Sequence, residues 1–344
     1  MNDKLLYEVS KLQSDMKEWM DFMHQNPELN MDTQNTAKFI ADKLKAWGYD
    51  VVEGVGGTGL VASLKVGNST KAIGMRADFD ALPIVEDNDL SYRSKVEGCS
   101  HLCGHDAHAT MLLGAAKYLV DTKNFDGTIR LIFQPGEETM EGAPAMVKDG
   151  LFERFPMDAV YGMHNMPGLP LGKFFFREGE TMAAVDNWEI ELIGKGSHGS
   201  MPELSIDPLV CGASLVMALQ TIVSRNVSPW KNSVVNVGAF QSGIAGNAVP
   251  QTMVLDKIRS ITKAQAEAFN CGYEIREGVA GAVLVNTPEN TKWAYKVAQD
   301  TFGEDNAEYD MHPYMGSEDF AFMLQKKVGP YCMIGNGDTF MVHH

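Results

Sequence analysis

The chain lacks any surplus of positive charge. Its 344 residues carry 29 Lys and Arg against 45 Asp and Glu, a formal net charge of −16. That balance disfavours non-specific binding to nucleic acid or to an anionic membrane surface. Nor does an uninterrupted apolar run approach the roughly 20 residues of a membrane span. The opening Met1-Asn2-Asp3-Lys4 has no basic region leading into an apolar one, so no secretory signal is expected. Cysteine is scarce: five residues, an odd number at irregular spacing, do not form a disulfide framework. These absences set the expectation of a reduced, cytoplasmic protein with neither nucleic acid nor membrane as partner.

What the chain does have is concentrated. Cys103-Gly104-His105-Asp106-Ala107-His108 packs a thiol, two imidazoles and a carboxylate into six residues. Glu137-Glu138 follows an apolar run, and His164 closes another. Soft and borderline ligands beside carboxylates point to a transition-metal site and to metal-dependent hydrolysis.

Periodicity organises the rest. Residues 4–24, 32–48 and 109–119 read as helices; 59–64, 71–76, 128–133 and 159–163 read as strands. Alternating helices and strands imply an α/β fold with a mostly parallel sheet flanked by helices, and chemistry at the strand C-termini. Near residue 184 the texture changes. Strands at 187–193, 233–240 and 252–255, with helices at 208–223 and 264–269, describe a smaller α+β unit. The expected division is 1–183 for the first part of a catalytic domain, 184–293 for an insertion, and 294–344 for the second part.

Each candidate has a chemical reason. Cys103 and His105, two apart in a loop before a helix, can point to one metal. Asp106 suits a helix N-cap or an orienting carboxylate behind a ligating His. His101 and His108 suit supporting roles. Adjacent Glu137 and Glu138 can divide the work, one binding metal and the other taking a proton from water. His164 is a further imidazole at the same sheet edge. Asp78 and Asp80 alternate, so one of them should face the site. His198, in the loop Gly194–Pro202, could donate to a developing oxyanion. The loop 243–247, with Asn247, could bind a substrate carboxylate or amide.

These blocks together resemble the metal-dependent amidohydrolase and carboxypeptidase family of hippurate hydrolases, aminoacylases and indole-acetyl-amino-acid hydrolases. The matching runs are Arg76–Pro83, His101–His108, Phe133–Glu138, Gly162–Asn165, Gly194–Pro202, Met315–Phe320 and Gly335–Asp338. The resemblance implies two divalent metal ions, zinc, manganese, cobalt or nickel, held by Cys103, His105, Glu138, His164 and a C-terminal His, best matched by His343. It implies Glu137 as general base, Asp78 as the carboxylate orienting a ligand, and His198 as the carbonyl-polarising group of a lid and dimerisation domain. Asn247 and Gly316 are the substrate-binding candidates.

The sequence departs from that pattern in three places. The family continues beyond His343-His344, so the second catalytic part is expected to be C-terminally truncated. The step from Asp256 to Lys257 is short by about one strand and some turns of helix, so that Arg259 either stands in for a family Arg or simply lies on the helix. Glu203 follows Met201-Pro202 where the family often has a His. The expected activity is hydrolysis of a small N-acyl amino acid by a homodimer. A dipeptidase or carboxypeptidase is the alternative within the family, and a non-catalytic metal-binding protein the alternative outside it.

Overall fold

A computed structural model describes residues 3–243, 252–255 and 259–337. The chain divides into two units, residues 1–184 with 281–344, and residues 185–280. The second crossing lies before the expected 293 because Leu284–Asn286 pairs with Gly179–Met182, inside the larger unit.

The strands in chain order are β1 Asp50–Val55, β2 Gly59–Val66, β3 Ala72–Asp78, β4 Gly127–Gln134, β5 Ala159–Met166, β6 Phe174–Phe175, β7 Gly179–Met182, β8 Val185–Ile193, β9 Phe240–Ser242, β10 Thr252–Leu255, β11 Gly272–Gly281, β12 Leu284–Asn286, β13 Ala307–Glu308 and β14 Tyr331–Gly335. The helices are α1 Asp3–Ser10, α2 Gln13–Gln25, α3 Gln34–Ala46, α4 His105–Thr122, α5 Gly142–Lys148, α6 Leu151–Arg154, α7 Pro208–Leu219, α8 Arg259–Ala268, α9 Pro288–Phe302 and α10 Phe320–Leu324.

In the larger unit eight strands run in the order β1-β2-β4-β3-β5-β14-β6-β13. The centre, β4-β3-β5-β14, is parallel, while β1-β2 and β2-β4 are antiparallel. Period-two alternation sends Leu60, Ala62, Leu131 and Phe133 to one face, against Ile40, Leu44, Leu112 and Leu113 of α3 and α4. It sends Val61, Ile132 and Val160 to the other, against Met146 of α5 and Phe320 of α10. Both faces are therefore covered, as a parallel centre requires.

The smaller unit packs α7 and α8 on the sheet β11-β8-β10-β9. Cys211, Leu215 and Leu219, one helical face at four-residue spacing, meet Ile190 and Leu192 of β8.

Several sequence expectations change. The helix expected over 4–24 breaks between Ser10 and Gln13. The helix expected from Ala109 begins at His105, so His105 lies on the helix and not in a loop. The strand expected over 233–240 reduces to Phe240–Ser242. Val235 and Val237 pack on the core without joining the ladder, which reproduces a strand's alternation. Pro208–Asn226 forms one helix long and apolar enough to cross a membrane. Length is reached because α7 is followed by a π-helical turn, Ile222–Asn226. Its inner face is the core just described, and Leu209, Val210, Met217 and Val223 are exposed.

Candidate metal centre

The site gathers where the central strands end. β3 delivers Asp78, and Phe79 donates its backbone N–H to the Gln134 carbonyl at 3.1 Å, so the chain then crosses the end of β4. Asp80 lands beneath the next turn. Its Oδ1 accepts the N–H of Glu137 at 3.0 Å and its Oδ2 the N–H of Glu138 at 3.1 Å. One carboxylate thus orients the backbone of both glutamates.

Cys103 and His105 sit at the start of α4. Gly104 between them is the N-cap with φ +104°, and an added Cβ would lie 2.2 Å from Asn165 Oδ1. Both the left-handed backbone and the absent side chain are needed there. His164, within β5, places Nε2 3.4 Å from Cys103 Sγ.

Both candidate imidazoles are held by their Nδ1 atoms. His105 Nδ1 donates to the Asp80 carbonyl at 2.9 Å, and His164 Nδ1 to the Asn165 carbonyl. Each Nε2 is thereby left as a lone pair facing the other ligands. His105 Nε2 is buried and has no hydrogen-bond partner. It lies 3.9 Å from Glu137 Oε2 and 3.9 Å from Glu138 Oε1. Ligand atoms of Cys103, His105 and His164 lie within 4.8 Å of one another, as do those of His105, Glu137 and Glu138. His105 joins the two sets. An orphaned imidazole lone pair among a thiol and carboxylates is the donor set that borderline divalent cations take.

Burial alone holds these groups toward their protonated forms. It pushes the Cys103 thiol up to about 12, against the pull of His105. It pushes Glu138 up to about 7, reinforced by Asp80 and Asp78 and opposed by His105. Burial, then Glu318 and Asp319, raises Glu137 well above the carboxylate range. A bound cation would reverse this balance and release the thiol proton.

Among the described residues, Asp78 hydrogen-bonds none of the expected ligands. Its Oδ1 accepts from His108 Nδ1 at 2.6 Å, and its Oδ2 lies 3.8 Å from His105 Nε2. His108 in turn bonds Asn165. Asp106 is not the N-cap, since Gly104 is. Burial works against its charge, but Arg76, then His105 and His108, hold the Asp78 carboxyl well below its usual range. Arg76 is itself buried, bonding Asp78 at 2.7 Å, Glu318 at 2.9 Å and Asp319 at 3.1 Å. Asp319 also accepts from Gln134 Nε2 at 2.7 Å and from the Ala143 N–H at 2.8 Å.

His198 is an exposed residue of the smaller unit, its Nδ1 bonded to Ser200 Oγ at 2.8 Å. The Gly316 carbonyl accepts the Ala183 N–H at 3.0 Å, and an added Cβ at Gly316 would lie 3.1 Å from the Tyr314 ring. Arg259 pairs with Glu277 and stacks over Trp188. His343 and Asn247 lie outside the described residues.

Sequence reasoning did not assign roles to Asp80, Arg76, Glu318 and Asp319. The doublet Asp78-Phe79-Asp80 carried a signal, read there as one inward carboxylate; both point inward.

Residues 74–344 match the model of the Peptidase family M20/M25/M40. The chain is 43% identical over 356 residues to a hippurate hydrolase of Campylobacter jejuni, covering 99% of this chain and 93% of that one. It is 34% identical over 338 residues to an N-acetyl-L-cysteine deacetylase of Bacillus subtilis, covering 94% and 80%. Among solved structures, a dinuclear metal-binding peptidase of the M20 family from Bacillus subtilis superposes with a TM-score of 0.73 at 26% identity, covering 97% of this chain and 92% of that one. With this donor set at its strand ends, the chain belongs to the M20/M25/M40 peptidase family and is a metal-dependent hydrolase.

Proposed function

We propose that the protein hydrolyses the amide bond of N-acyl amino acids, giving a carboxylate and an amino acid. The observation that carries this is the Glu137-Glu138 pair, both backbone-anchored by Asp80 and equidistant from His105 Nε2. One carboxylate can be a ligand while the other stays free for proton transfer. The likeness to a hippurate hydrolase and to an N-acetyl-L-cysteine deacetylase supports the acyl-amino-acid class.

Cys103, His105, Glu138 and His164, with His343, would hold two divalent ions, zinc, manganese, cobalt or nickel, which when bound acidify water and polarise a carbonyl. Glu137 accepts the proton of the attacking water. It then returns that proton to the leaving amine. His198 supports the developing oxyanion. Asn247 and Gly316 contact the substrate.

The reading extends to assembly and compartment. A second copy of this chain covers the exposed Leu209, Val210, Met217 and Val223 together with Trp230, which is 94% exposed. β9, at the edge of its sheet, offers ladder groups for the same contact. A Cys103 that ligates metal must stay reduced, which suits the cytoplasm. The charge of −16 argues against nucleic acid as a partner.

The test is a substrate panel on the metal-loaded enzyme, with light scattering for assembly. N-benzoyl and N-acetyl amino acids should turn over faster than dipeptides, and the particle should have twice the chain mass. Faster dipeptide cleavage would move the activity to the peptidase side of the family.

A further inference from the structure

Behind the ligand-bearing turn, three distant parts of the chain meet on one buried imidazole. His24, near the end of α2, is 8% exposed. Its Nδ1 lies 2.8 Å from Asp106 Oδ2, and its Nε2 lies 3.1 Å from Glu86 Oε1. Both neighbours are carboxylates, so the ring donates from both nitrogens. Glu86 is fixed in turn. Its Oε2 accepts the Ser94 N–H at 2.7 Å, and Arg93 donates to its backbone carbonyl at 3.1 Å, which closes the loop 86–94 on itself.

Asp106 immediately follows His105 and lies three residues after Cys103. Its Oδ1 accepts the Ala107 N–H at 2.9 Å, so one oxygen belongs to the helix start and the other to His24. The first turn of α4 cannot rotate without breaking the bond to His24. That turn begins with His105 and follows directly on Cys103 and Gly104. Burial opposes a charge on His24, but Asp106 and Glu86 outweigh it and raise the ring to about 9, so the contact persists at neutral pH.

We propose that His24 is a positioning residue for the metal centre, acting through Asp106 to hold the Cys103–His105 turn in ligating geometry, with Glu86 as its brace. The proposal rests on the reading of Cys103 and His105 as ligands. Groups that orient metal ligands from behind typically contribute about 10–100-fold in metal affinity.

Two variants of the full chain separate this from a merely structural role. His24→Asn keeps a donor near the Nδ1 position and loses the one toward Glu86. His24→Gln keeps a donor near Nε2 and loses the one toward Asp106. Apoprotein is titrated with Co²⁺ alone, following the thiolate-to-cobalt charge-transfer band, and with Zn²⁺ in competition with a chelating dye. We expect His24→Gln to bind both ions about 10–100-fold more weakly, His24→Asn to stay within a few-fold of the parent, and the two apoproteins to melt together. Asp106→Asn should match His24→Gln, and the double variant should lose no more than either single one. Unchanged affinity in His24→Gln overturns the proposal. So does equal weakening in both variants with a lowered apoprotein melting temperature. A parent without any thiolate band would instead sink the ligand reading itself.

Discussion

Asp80 holds Glu137 by its backbone: Oδ1 accepts the Glu137 N–H at 3.0 Å, while Oδ2 takes the Glu138 N–H at 3.1 Å. The proposed proton-transfer group and the proposed metal ligand therefore share one anchor. Neither side chain can be repositioned without the other.

Asp80→Asn turns one of those acceptors into a donor facing an N–H. A buried N–H without its acceptor costs about 1–3 kcal/mol. We expect a lower denaturation midpoint and at least about a tenfold fall in kcat, since misplacing a catalytic group by an ångström costs on that order or more. Chemical denaturation and steady-state kinetics on the same preparation check both.

Arg76→Met leaves Asp78, Glu318 and Asp319 buried without their shared cation. Breaking a buried charge network by removing one side typically costs about 3–5 kcal/mol. Equilibrium unfolding in urea should show that loss. A change under about 1 kcal/mol would mean the carboxylates are already neutral in the parent.

Cys103→Ala should lower bound metal as well as rate, because it removes a donor from the set shared by His105 and His164. Elemental analysis after gel filtration checks this; unchanged stoichiometry contradicts the assignment.

The His24 contact predicts a pH dependence of stability. His24 faces Asp106, Glu86, His101 and the Tyr92 ring edge. Its pKa is raised, so its contribution is complete below the ordinary histidine value of 6.5 and is lost as pH rises through about 9. Asp106 and Glu86 are both lowered, so their contribution falls away in acid instead. The stability difference between the parent and His24→Gln apoproteins should therefore be largest near pH 6 and shrink toward pH 9. A difference that grows with pH would reverse the assignment.

What was legible in the sequence was local. Cys103, His105, Glu137 and Glu138 lie in short runs whose chemistry needs no knowledge of the fold, and alternation located the central strands. The Arg76 network was hidden because Arg76 and Glu318 are 242 positions apart and meet only when the chain just before α10 folds back to β3. His24 and Asp106, 82 apart, were hidden for the same reason. The segment 233–239 misled because Val235 and Val237 bury alternate side chains without entering the ladder.

The central claim is that Glu137 moves the proton and does not hold the metal. Glu137→Gln, loaded with the same ion as the parent, tests it most directly on N-benzoylglycine. The account predicts full metal content and a turnover lower by about 10²–10⁴-fold. Near-parental turnover, or loss of the metal, would contradict it.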